Sequence, residues 1–222
     1  MTFSIAAKCA RSGMFGMAIS SSSPAVAARC VHARARIGVV ASQNITDPRL
    51  GRTGLDLMAR GASAEGALKT LCASPLIDFR QLMLVDANGR TAAYSGSGTL
   101  GIHAIAKGKN AVAAGNLLAN TDVPEAMIRA FETSDATLPE RLLAALTAGL
   151  EAGGEAGPVH SAGLLTVRDV EWPVADLRVD WSESPISDLQ NLWTVYKPQM
   201  EDYVRRAIDP SAAPSFGVPG NE

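Results

Sequence analysis

Apolar runs of period two come in adjacent pairs along this chain, and so do runs of helical period. That order excludes a doubly wound parallel sheet, in which each strand needs its own crossover helix. The first strand pair is residues 2–9 and 15–21, separated by Arg11-Ser12-Gly13. A third, β-branched run over residues 37–43 reads as a buried strand. Two helices follow: one carries Leu55, Met58 and Ala62 and closes near Gly61, and the next is capped by Ser63 and turns Ala67, Leu68 and Leu71 inward. Residues 80–86 and 90–95 form a hairpin through Asn88-Gly89, the strongest short-range hairpin signal, and residues 110–115 add a strand.

A second helix pair opens at Asp122 and Pro124, with Met127, Ala130 and Phe131 on one face. Thr137 and Glu140 have capping-box spacing before a helix that buries Leu142, Leu143, Leu146 and Leu150 and stops at Gly153-Gly154. Strands over 161–168 and 174–180 precede a last helix, which starts at Ser184-Pro185, carries Leu189, Leu192, Trp193 and Tyr196, breaks at Pro198 and resumes through Ile208. The expected class is α+β: two packed antiparallel sheets with helices outside, one domain over residues 1–208 and a flexible tail over 209–222.

Hydrophobic residues at 47% suffice for a large core, and a net charge of −2 argues against nucleic acid as a partner. No apolar run approaches about 18 residues, and Lys8 and Arg11 interrupt any signal-peptide core, so no membrane partner and a cytoplasmic location are expected. Cys9, Cys30 and Cys72 are odd in number and far apart, which predicts reduced core residues. His32, His103 and His160 lack metal-ligand spacing, and Ser20 to Ser23 read as a solvated loop. Gly96-Ser97-Gly98-Thr99-Leu100-Gly101 matches the dinucleotide fingerprint, but no amphipathic helix follows it. It reads instead as a turn with backbone amides near a pocket.

Chemistry is suggested by the first residues. Thr2, Ser4, Ala6 and Lys8 share one face of the opening strand, and Phe3, Ile5, Ala7 and Cys9 the other. Loss of Met1 would leave Thr2 with a free α-amine beside its own hydroxyl. An α-amine has a pKa of about 7.7–8.0, so a fraction is unprotonated at neutral pH and serves as base. If Met1 is retained, the Thr2 nitrogen is locked in a peptide and no such base exists.

The opening Thr2-Phe3-Ser4-Ile5, residues 38–43, Gly54-Leu55-Asp56-Leu57, Arg80-Gln81, Gly115-Asn116-Leu117-Leu118, residues 140–146, Ser161-Ala162 and Asp176-Leu177-Arg178-Val179-Asp180 recur in one order. Together they resemble the family called domain of unknown function 1028. That family is placed in the N-terminal nucleophile (Ntn) hydrolase superfamily, which implies a four-layer αββα sandwich and amide-bond hydrolysis by Thr2. The chain departs from the family pattern at Lys8, where an acid is expected, at Glu155, where Asp is usual, and at His160, where Gln is commoner. Asn116 is assigned as an oxyanion donor, with Gly96 and Ser97 as further donors, Gln43 orienting substrate and Lys8 tuning the nucleophile. The expected substrate is a small-molecule or peptide amide, with no cofactor and a homodimer as the assembly. The alternative is a member that keeps the sandwich and binds a ligand without turnover, a reading Lys8 favours.

Overall fold

The alternation that opens the chain builds a strand in the middle of the larger sheet. This computed structural model describes residues 2–217; Met1, whose removal the sequence reading requires, and residues 218–222 of the expected tail lie outside the described residues. The elements run β1 (Thr2–Lys8), β2 (Phe15–Ser21), α1 (Val26–Cys30), β3 (Val31–Arg34), β4 (Gly38–Asn44), α2 (Pro48–Ala59) and α3 (Ala64–Leu71). Next come β5 (Arg80–Asp86), β6 (Thr91–Ser95), β7 (Ala104–Gly108), β8 (Ala111–Asn116), α4 (Val123–Thr133) and α5 (Leu138–Glu151). The chain continues through β9 (Ser161–Val167), β10 (Ala175–Val179), α6 (Pro185–Tyr196) and α7 (Met200–Ile208).

Every strand pairing is antiparallel. One sheet has the order β10-β9-β2-β1-β8-β7 and the other β3-β4-β5-β6. Period-two geometry divides β1 between two cores. Phe3, Ile5 and Ala7 pack under α4, α5 and α6, with Met127, Phe131, Leu142 and Leu189. Ala6 faces the second sheet, among Met17, Ile19, Val39, Met83 and Val112. A third core, with Val40, Leu55, Leu71 and Leu84, sits under α2 and α3. The four layers are therefore helices, sheet, sheet, helices, as expected from the sequence.

Local signals held where a side chain closes a backbone bond. The Ser63 Oγ accepts from the Gly66 N–H, and Thr137 with Glu140 forms the capping box. The helix after Pro198 resumes as α7. Leu150 and Leu192 are corrections: at 42% and 41% exposed they stand at the rims of their helix faces. Ser20 and Ser21 are also corrections, because both are fully buried in β2 and not in a solvated loop. Three elements gave no readable period: α1, β3 and the edge strand β7. Residues 209–217 form neither helix nor strand, and Phe216 lies 3.9 Å from the Arg206 guanidinium.

Asp86 fixes the Asn88-Gly89 turn and ties it to α3. Its carboxylate accepts from the N–H groups of Ala64 (3.0 Å), Asn88 (2.9 Å) and Arg90 (3.1 Å), and from Arg90 Nε at 2.8 Å. Against the upward push of burial, these bonds hold the carboxyl below its ordinary value. The stability it contributes is present above the unfolded value of 3.8 and is lost as pH falls through the lower folded value. Asp86→Asn should cost about 1–3 kcal/mol at neutral pH. Urea denaturation should show that deficit shrinking once the pH drops below the unfolded value.

Candidate active site

At one end of the sandwich the packing between the sheets changes from apolar to polar. Beyond Ala6, Ile19, Ala41, Met83 and Ala114, the same faces carry Ser4 and Thr2 on β1, Ser21 on β2, Asn116 on β8, Gln43 on β4, Gln81 on β5 and Ser95 on β6. Register brings them together. Thr2 lies opposite Asn116, and pairing of Phe3 with Ser20 puts Ser21 on its other flank. In the facing sheet Gln43, Gln81 and Ser95 form one row.

These side chains form a hydrogen-bonded bridge between the sheets. Ser4 Oγ donates to Gln43 Oε1 at 2.7 Å. Gln43 Nε2 donates to Gln81 Oε1 at 2.8 Å and to the Ala114 carbonyl at 3.3 Å. Asn116 Nδ2 donates to the same Gln81 oxygen at 3.1 Å. Gln81 Nε2 donates to Ser95 Oγ at 2.9 Å and to the Gly115 carbonyl at 3.0 Å. The two main-chain carbonyls fix the orientation of all three amides, since only an N–H can face them. Asn116 Oδ1 is thereby left as a buried acceptor with no partner among the described residues. Thr2, its neighbour across the ladder, is 4% exposed.

A buried carboxylate flanks this row. Glu155 follows Gly153 and Gly154, which turn the chain at φ 122° and 58°, and it bridges to Leu118 just past Asn116. Both of its oxygens accept from the Ser22 N–H, at 3.1 and 3.2 Å. Burial pushes its carboxyl up to about 7, although the Ser22 bonds and the charge of His160 pull it down. A raised carboxyl favours the protonated folded form, so its penalty on folding grows as pH rises from the unfolded 4.5 to about 7 and is constant above. Glu155→Gln should therefore gain stability relative to the parent across that window. Thermal melts of both proteins at pH 5 and pH 8 would measure it, and a gap that does not widen with pH would contradict it.

The structure joins some of the residues expected from the sequence and separates others. Thr2 and Asn116 are brought side by side, although the Asn116 amide already gives one hydrogen to Gln81. Gln43 is at the site but has no exposed surface, and both ends of its amide are bonded within the bridge between the sheets. Lys8 is a correction. It ends β1, roughly 20 Å from Thr2 at about 3.3 Å per residue, and its Nζ donates to the Ala87 carbonyl. Gly96 is another, since its N–H is spent on the Arg80 carbonyl at 3.0 Å. Ser97 is exposed in the turn after β6. The glycine motif leads into β7 and not into a helix.

Gln81, Ser21 and Glu155 were missed as site residues. Gln81 and Ser21 occupy strand positions where a polar side chain passes for a solvent-facing one. Glu155 lies in a loop, and its only signal was an acid at a place where the family carries Asp. Among the described residues, no group of three His, Cys, Asp or Glu is placed to hold a metal ion, and no helix is long and apolar enough to cross a membrane.

None of the curated proteins matches this chain. Among solved structures, protein SPO2555 from Silicibacter pomeroyi, itself matched by the DUF1028 family model, superposes with a TM-score of 0.86 at 30% identity, over 92% of this chain and 90% of that one. Anbu (ancestral beta-subunit) from Yersinia bercovieri aligns over 90% of this chain and 97% of its own at 11% identity, with a TM-score of 0.39. Anbu from Hyphomicrobium sp. strain MC1 aligns over 97% of this chain and 100% of its own at 11% identity, with a TM-score of 0.42. Likeness at that level carries no argument. With its model matching residues 2–189, this chain belongs to the family of unknown function DUF1028.

Proposed function

We propose that this protein hydrolyses an amide C–N bond in a small molecule or peptide, with Thr2 as an Ntn-type nucleophile once Met1 is removed. The observation that best supports this reading is the orphaned Asn116 Oδ1 beside Thr2. A buried acceptor without a donor is costly, and a liberated amine at Thr2 would bring donors next to it. In this scheme the amine takes the hydroxyl proton, directly or through one water, and the oxygen attacks the acyl carbon. The second hydrogen of Asn116 Nδ2 steadies the oxyanion. The C–N bond then breaks as the proton passes to the leaving amine, leaving an ester on Thr2. The same amine activates the water that hydrolyses the ester to a carboxylic acid. Glu155, titrating near neutrality, suits proton exchange with that amine. The scheme calls on no metal or organic cofactor.

A second reading is ligand binding without turnover. It is favoured by the committed Gly96 N–H and the enclosed Gln43, which take one expected oxyanion donor and the expected substrate-orienting amide out of reach. Thermal-shift screening with linear and cyclic amides, followed by product analysis of every stabilising compound, separates the two. Release of amine and carboxylic acid supports hydrolysis. A ligand that stabilises the parent and Thr2→Ala equally, with no product, supports binding alone. The proposal includes a cytoplasmic setting and a homodimer, for which sedimentation equilibrium should give twice the chain mass of 23.1 kDa.

A further inference from the structure

The loops that border the candidate site carry large apolar side chains in the open. Ile45 lies just beyond Gln43, Phe79 just before Gln81, and Leu100 and Ile102 in the turn that follows Ser95; each is between 44% and 47% exposed. None of the four belongs to the three cores. A single exposed Leu or Ile is ordinary on a protein surface. Four around the end of one buried polar row call for a reason.

Hydrogen bonds tie these loops into one lip that spans both sheets. Asn44 follows Gln43 at the end of β4 with φ 72°, a left-handed conformation that Asn tolerates better than most residues. Its side chain joins two neighbouring loops: Nδ2 donates to the Phe79 carbonyl at 2.7 Å, and Oδ1 accepts from the Leu100 N–H at 3.2 Å. The Leu100 carbonyl accepts from the Leu117 N–H at 3.0 Å, and the Ile102 carbonyl from the Leu118 N–H at 2.9 Å. Leu117 directly follows Asn116, the partner of Thr2 across the ladder, and is left-handed too at φ 51°. Leu100 is thus fastened to both sheets, one residue past the Thr2–Asn116 pair. Ile45 is held through its carbonyl, which accepts from Arg80 Nη1. The glycine motif serves the same arrangement. Gly98 N–H donates to the Asp78 carbonyl at 2.8 Å, and a Cβ at Gly96 would collide with that carbonyl. Apolar side chains on a fixed backbone, beside a few convergent polar groups, are the usual make-up of a small-molecule site.

We propose that this lip sets the specificity of the candidate site: the amide it takes carries an aliphatic chain of several carbons, lodged against Ile45, Phe79, Leu100 and Ile102 while the amide group lies at Thr2 and Asn116. The inference rests on the site proposed above and adds the class of substrate. The test titrates isotope-labelled Thr2→Ala protein, in which no ligand is consumed, with acetamide, hexanamide and N-hexylacetamide, and follows the backbone N–H resonances of Leu100 and Leu117 by NMR. Hexanamide carries the chain on the acyl side and N-hexylacetamide on the amine side. At least one of them should saturate the shifts at a concentration at least about tenfold below that of acetamide, and the tighter of the two assigns the side. Leu100→Ser and Phe79→Ser alter half-exposed side chains outside the cores, and each should reduce that gain at least about threefold. Equal binding of the three amides, shifts that do not saturate, or a gain that survives both substitutions overturns the proposal. Release of ammonia or hexylamine by the parent protein is read separately. A chain preference in binding without release would keep the lip and remove the hydrolysis; release at equal rates from acetamide and hexanamide would do the reverse.

Discussion

Thr2→Ala should abolish turnover of whichever amide the parent protein hydrolyses, with kcat falling by at least about a thousandfold. The substitution removes the attacking oxygen and leaves the amine. Thr2→Ser restores an oxygen at the same atom and should recover a measurable fraction of the rate. Because Thr2 is buried, Thr2→Ala also loses packing, and a stability cost of about 0.5–2 kcal/mol is expected. That is too small to unfold a domain of this size at 25 °C. Rate and melting temperature read together distinguish the two effects: a dead enzyme with a nearly intact melt identifies a nucleophile. Turnover that survives Thr2→Ala would place the nucleophile elsewhere and remove the role given to β1.

Gln81→Ala should produce the largest loss of stability among the polar substitutions at the site. One side chain holds four partners: Gln43 Nε2, Asn116 Nδ2, Ser95 Oγ and the Gly115 carbonyl. Gln43 Nε2 keeps the Ala114 carbonyl, and water entering the space would satisfy part of the rest. At about 1–3 kcal/mol for each buried group left unpaired, a net loss of about 3–5 kcal/mol is expected. For a chain of this length that lowers the melting temperature by on the order of 10 °C. The same change lets Asn116 turn away from Thr2, so activity should fall further than stability explains. A melt within about 2 °C of the parent would mean that the bridge between the sheets contributes little.

Much of the architecture was legible because it rests on local rules. Alternation in β1 separated the two cores correctly, Asn88-Gly89 marked a real hairpin, and Ser63, Thr137 and Glu140 close the caps their spacing predicts. α1, β3 and β7 escaped because four or five residues show no period by themselves; β6, equally short, was legible because Asn88-Gly89 marks its hairpin. Lys8 misled for a related reason. Sharing a strand face with Thr2 says nothing about distance along the strand, and the two occupy opposite ends. The site was legible only as far as single positions allow. Thr2 and Asn116 were named, but the pairing of β4 with β5 that sets Gln43 against Gln81 is a matter of register between distant segments. Glu155 acquires meaning only once β2 brings the Ser22 N–H onto its carboxylate.

The most direct measurement is the intact mass of the protein purified from its native host. A mature chain that begins at Thr2, lighter than the full sequence by one methionine residue, is the predicted result. A chain that still carries Met1 in the cell would leave the Thr2 nitrogen in a peptide bond, and the proposed base and nucleophile would not exist.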